Sequence, residues 1–114
     1  MLTQSVERRT SVRIRTYVPI RLQLHEAPRI IETLTKDLSA DGVRCITSDA
    51  IPVATPLRVE ITLARGLQPV EVSGRTAWFG MIPHSDQFDL GIAFTEITPE
   101  TKRRLSTYLE RLAQ

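Results

Sequence analysis

From residue 18 onward, apolar and polar side chains take turns along the chain. Val18, Ile20, Leu22 and Leu24 alternate with Arg21 and Gln23. Leu57, Val59, Ile61 and Leu63 alternate with Arg58, Glu60 and Thr62, and Phe88, Leu90, Ile92 and Phe94 alternate with Asp89, Gly91 and Ala93. A period of two sends successive side chains to opposite faces, so each stretch predicts a strand with one buried face. Residues 30–38, 42–48 and 70–79 are rich in Val, Ile and Thr and predict three more strands. Turn-forming residues separate these stretches at 26–29, 39–42, 48–56, 65–69 and 82–87. Short strands at such spacing predict an antiparallel barrel or sandwich. In a chain of 114 residues, a small closed barrel is the better choice, because closure leaves no exposed strand edges.

The period changes near the C-terminus. Thr98 can cap a helix, Pro99 suits the first helical position, and Glu100 suits its positive end. Leu105, Tyr108, Leu109 and Leu112 then recur at helical spacing and predict one stripe packed on the barrel. Residues 1–6 carry no periodic pattern and are expected to be mobile. Residues 7–16 are β-branched at Thr10, Val12, Ile14 and Thr16, a poor helix pattern, so a loop is expected there.

Charge alters the picture more than composition does. The formal net charge is only +2. Residues 1–29 nevertheless hold six arginines against two glutamates, while residues 30–99 hold five basic against nine acidic side chains. Residues 100–114 hold four basic against two acidic. A protein gripping long nucleic acid is expected to carry a basic face across its body, because affinity grows with the phosphates neutralised. An acidic body with basic ends suits a small anion better. Aromatic residues are 5% of the chain, and Phe88 and Phe94 fall on the expected core side, which also argues against a stacking platform for single strands. No apolar run approaches the roughly 18–20 residues of a membrane span, and no apolar stretch follows the N-terminal arginines as in a secretory signal. The one cysteine, Cys45, forms no internal disulfide and reads as a small buried thiol in a strand. His25 and His84 stand alone, without Cys, Asp or Glu at metal-ligand spacing. With neither a glycine-rich phosphate loop nor a nucleophile elbow, the expectation is a binding protein rather than an enzyme, with no metal and no cofactor.

Two segments carry binding chemistry. "RRTSVR" (8–13) supplies Arg8, Arg9 and Arg13, and "DLSADG" (37–42) supplies Asp37, Ser39 and Gly42. Each has a plainer reading. Terminal arginines are usually solvated, and Asp, Ser and Gly are common turn residues that bond local backbone or take unusual dihedrals. Together they describe a site for an anionic guanine nucleotide. Arginine forks bind phosphate or a guanine edge, and their flat faces stack on a base. A carboxylate accepts from the guanine N1–H and N2–H₂ donors, and a glycine lets backbone approach a ligand.

In these two motifs the sequence resembles the PilZ domains, bacterial receptors for the second messenger cyclic di-GMP. The RxxxR motif, preceded by a further arginine, is matched at 8–13, and (D/N)xSxxG is matched in full at 37–42. "GRTAWF" (74–79) and "LGIAF" (90–94) followed by a helix resemble the family's closing segments, so the resemblance covers nearly the whole chain and leaves no space within it for an output domain. It implies a mainly all-β fold: a six-stranded antiparallel barrel with one C-terminal α-helix. The PilZ domain is then expected over 7–114, with an arginine loop at 7–16, the barrel at 17–97 and the helix at 98–113. It also implies a cyclic di-GMP site on the outer surface. Arg9 and Arg13 match the pair that grips phosphates and guanine, Arg8 the extra arginine, Asp37 the guanine acceptor, Ser39 a hydroxyl bonding base or phosphate, and Gly42 the glycine that keeps the turn open. Trp78 matches a tryptophan that lies near the ligand in some members; core packing beside Val70 and Val72 is the alternative. Arg44 and Arg75 are possible additional contacts, with surface ion pairing the plainer reading. Val12 departs from the larger residue many members carry. The resemblance further implies a cytoplasmic receptor, an unidentified downstream protein partner, and an arginine loop that orders on binding. The alternatives are a PilZ-like adaptor working by protein contact without ligand and a small-barrel nucleic-acid-binding protein.

Overall fold

The alternating stretches become strands because their apolar faces have only one another to pack against. A computed structural model of the chain describes residues 12–25 and 29–113. The expectation for residues 1–6, and those for Arg8 and Arg9, lie outside the described residues. The elements run β1 (Ile14–Arg15), β2 (Pro19–Leu24), β3 (Arg29–Leu38), β4 (Gly42–Thr47), β5 (Pro56–Ile61), β6 (Val70–Met81), β7 (Phe88–Glu96) and α1 (Pro99–Ala113). All pairings are antiparallel. The sheet runs β3-β2-β5-β6-β7-β4, and β3 pairs with β4 to close it into a six-stranded barrel. This is the expected fold.

The barrel is filled from every strand by the inward member of each alternation, including Leu22, Val43, Leu57, Val59, Ile61, Val70 and Leu90, all at 1% exposure or less. Helix α1 adds Leu105 and Leu109 to the same cluster. The Thr98 hydroxyl caps its start, accepting from Thr101 N at 3.1 Å.

Several details differ from the sequence reading. Ile14 and Arg15 form a short strand along β3, with Ile14 opposite Leu38 and Arg15 opposite Asp37, so the loop expected over 7–16 gives way to paired backbone at residue 14. Thr35 secures that segment: its hydroxyl donates to Thr16 O and accepts from Val18 N at 3.0 Å. Phe88 is half-buried outside the core cluster, edge-to-face with the exposed Phe79, with ring centroids 6.0 Å apart. Leu112 is exposed, so the packed helical stripe ends at Leu109.

Truncating a fully enclosed side chain leaves a cavity that the close-packed barrel cannot collapse. Leu22→Ala is expected to lower unfolding free energy by about 2–5 kcal/mol, measured as a shift in the urea midpoint at unchanged slope.

Candidate nucleotide site

Strand alternation alone would not build the site. Thr35 faces the barrel interior opposite Cys45, both at 0% exposure, so strict period two would turn Asp37 inward as well. Between these residues β3 advances two positions while β4 advances one, from Cys45 to Arg44. This bulge places Asp37 beside Arg44 on the outer face. A second bulge acts on β6. Thr76 faces inward opposite Ile92, but Trp78 pairs with Gly91 and emerges on the outside at 44% exposure. The core-packing alternative for Trp78 therefore does not hold.

The two bulges work on a common row. Asp37 of β3 lies opposite Arg44 of β4, Arg44 opposite Gly91 of β7, and Gly91 opposite Trp78 of β6. Gly91 makes the row possible, since a Cβ there would lie 2.3 Å from the Trp78 indole. At one end of the row, Arg13 Nη1 donates to Asp37 Oδ1 at 2.5 Å, and Arg44 Nε donates to Asp37 Oδ2 at 2.8 Å. Arg44 Nη1 also donates to Asp89 Oδ2 at 3.0 Å. A cavity of about 430 Å³ opens over the row, lined by Arg13, Asp37, Asp41, Gly42, Arg44, Trp78 and Gly91 among others. That size lies within the roughly 300–1,000 Å³ of small-ligand sites.

The turn between β3 and β4 is held from inside. The Ser39 hydroxyl accepts from Asp41 N and Gly42 N, each at 3.1 Å, and donates to Gly42 O at 3.3 Å. Ser39 is 2% exposed and does not line the cavity. Gly42 has a φ outside the left-handed region; it is required because a Cβ would sit 2.5 Å from Ile92 O on β7. The turn thus closes tightly enough for Phe94 N to donate to Asp41 O at 2.9 Å.

The structure therefore brings together Arg13, Asp37, Gly42, Arg44 and Trp78, with Ser39 behind them. Arg75 is exposed, lines no part of the cavity and makes no ion pair among the described residues. Arg44 does pair with carboxylates, as the plainer reading had it, yet both belong to this cluster. Sequence reasoning missed Asp41, Asp89 and Gly91. Only Gly91 left a signal, because a glycine inside a strand marks a close approach.

Burial alone would raise the Asp37 carboxyl; hydrogen bonds from Arg44 and Arg13, then their charges, outweigh it and hold the pKa below its ordinary value. The hydrogen bond to Asp37 in turn raises the Arg44 guanidinium. Inside the barrel, burial and then the Asp89 charge push the Cys45 thiol up to about 12, so it is an inert core group.

On one face of a closed barrel, an arginine-clasped carboxylate and an outward tryptophan thus line a groove of small-ligand size. The PilZ domain family model matches residues 7–111, and the chain belongs to that family. Among solved structures, it is similar to the Bacillus subtilis inhibitor of motility MotI/DgrA, at 23% identity and TM-score 0.80, covering 93% of this chain and 51% of that one. It is also similar to MrkH of K. pneumonia in complex with c-di-GMP, at 16% identity and TM-score 0.78, covering 92% and 52%. The PilZ domain of Escherichia coli YcgR with c-di-GMP matches at 17% identity and TM-score 0.70, covering 93% and 94%. At these identities the likeness is one of fold. The chain spans about half the length of the first two. No curated protein sequence matches the chain.

A carboxyl whose pKa is depressed by folding adds stability above its unfolded value and loses it as pH falls through the folded value. For Asp37 that loss begins near the ordinary 3.8 and continues below it. Asp37→Asn is expected to be less stable than the parent at neutral pH, with the gap narrowing below that value. Denaturant titrations at a series of pH values check this.

Proposed function

We propose that the chain is a receptor for cyclic di-GMP. The observation that carries this reading is the meeting of Arg13 and Asp37, residues from the two sequence motifs, over a groove that ends on Trp78. Two of the similar structures are complexes with c-di-GMP, which supports the same ligand class here.

Each Asp37 oxygen accepts one arginine hydrogen bond and retains a lone-pair site, leaving acceptor capacity for a guanine N1–H and N2–H₂. The aim of the carboxylate is fixed by Arg44. Half of the Arg13 side chain is exposed, at 51%, so one face of its guanidinium is free to stack on a base or grip phosphate. Trp78 offers a second flat apolar surface. Ser39, behind the groove, contributes by holding the turn, and Gly42 both holds it and lines the groove.

The lining charges Arg13 and Arg44 are balanced by Asp37 and Asp41, and a ligand with two negative charges needs a cationic surplus. Arg8 and Arg9 supply it in this reading. They precede Arg13 by five and four residues, and four residues reach about 13–14 Å, enough to cover the groove. Closing residues 7–13 over the nucleotide creates a surface that a protein partner reads, a switch by ordering. Asp37 then has a double role, holding Arg13 before the ligand arrives and sharing it with the nucleotide afterward.

Isothermal calorimetry with cyclic di-GMP tests the reading. The parent is expected to bind in the micromolar range or tighter. Losing a charge-assisted hydrogen bond costs about 1.5–3 kcal/mol, so Arg13→Ala should weaken binding by about 10–100-fold at unchanged circular dichroism. No heat with the parent, or equal affinity in Arg13→Ala, overturns it.

A further inference from the structure

A second concavity lies away from the nucleotide site, between α1 and the turn after β5. Its volume is about 420 Å³. Leu63, Leu67 and Tyr108 give it an apolar wall, and Arg103, Arg104 and Arg111 rim it from the helix. At about 100° per residue the helical lining residues fall on one continuous flank of α1, beside the stripe that buries Leu105 and Leu109. The groove is preformed. Leu67 N donates to Ala64 O at 3.2 Å and closes a turn, and Arg104 Nη2 donates to Gln68 O at 2.5 Å, tying that turn to the helix. The turn presents Leu67 to solvent at 56% exposure. Leu67 on this ordered turn, together with Leu63 and Tyr108, leaves an apolar wall open to a partner side chain beside the arginine rim.

Charge selects the occupant. Arg104 is engaged with backbone, but Arg103 and Arg111 make no ion pair among the described residues. Two free guanidinium groups beside an apolar wall match carboxylates flanking an apolar side chain. The two arginines are eight residues apart on α1, about 12 Å at about 1.5 Å per residue. An anionic bilayer is the poorer match, because residues 30–99 carry nine acidic against five basic side chains and a charged plane would meet that repulsion. A single peptide segment meets only the groove.

We propose that this groove docks an acidic amphipathic segment of a partner protein, with an apolar side chain against Leu63, Leu67 and Tyr108 and carboxylates on Arg103 and Arg111. An amphipathic helix meets the spacing with acidic residues seven or eight positions apart and leucines between them. The docking face is separate from the nucleotide groove, and its test does not depend on that ligand.

The probe is a labelled helical peptide of about four turns with glutamates at positions i and i+7 and leucines at i+3 and i+4, read by fluorescence anisotropy. The parent domain is expected to bind it, and Arg103→Glu/Arg111→Glu to bind at least tenfold more weakly. The lysine-for-glutamate peptide is expected to reverse that preference and bind the double variant better than the parent. Because both positions are on the helix surface, the fold should be retained by circular dichroism, with only a small drop in melting temperature from placing Glu at the negative end of α1, and Leu67→Ser should weaken binding without altering charge. No binding by the parent, equal binding by the double variant, or binding to phosphatidylglycerol vesicles but not to the peptide overturns the proposal.

Discussion

Side chains on a strand alternate between two faces, and a one-residue insertion reverses that assignment for everything beyond it. In this barrel the site depends on two such reversals. Each inserts one extra position into a strand flanking the β4–β7 pair: one between Thr35 and Asp37, the other between Thr76 and Trp78. Without them a carboxylate and an indole would be aimed into a core of Leu, Ile and Val. With them both stand on the outer face, at the two ends of a single cross-strand row. The barrel gives up two irregular ladder positions and gains a groove with a polar end and an aromatic end.

The polar end is organised around Asp37. Its carboxylate has little exposure, 13% of the side chain, and burial opposes its charge. Two arginines reverse the balance, and each performs a different task. Arg44, on a barrel strand and also bonded to Asp89, fixes the carboxylate from below. Arg13 reaches it from the segment that β1 lays along β3, where Arg15 is already opposite Asp37. Arg13 is therefore held close to the turn by the backbone pairing of the two residues that follow it.

Much of the barrel was legible from period two. Leu57, Val59 and Ile61 alternate with charged partners, and that pattern leaves no choice of face. The helix was legible from Thr98, Pro99 and its leucine spacing. The bulges were not, because period two assumes an unbroken ladder, and Lys36 and Ala77 carry nothing that marks an extra position. An unbroken ladder would set Trp78 on the same face as Val70 and Val72, in the core. β1 was hidden for a related reason: two residues are too few to show alternation, and the hydroxyl of Thr35 that secures the segment is a tertiary contact. The site's two motifs could be seen as pieces, and their meeting could be inferred. The parts played by Arg44, Asp89 and Gly91 depend on register, which no local pattern specifies.

In the proposed function, the outer row from Asp37 to Trp78 is a cyclic di-GMP surface. Trp78 is the only tryptophan in the chain, so its indole N–H gives one resonance in a proton–nitrogen correlation spectrum. Titration with cyclic di-GMP should shift that signal together with the backbone amides of Asp37, Arg44 and Gly91, while amides of α1 stay in place. A titration that leaves the indole and the row unmoved, or that moves a different face of the barrel, would show that this row is not where the nucleotide binds.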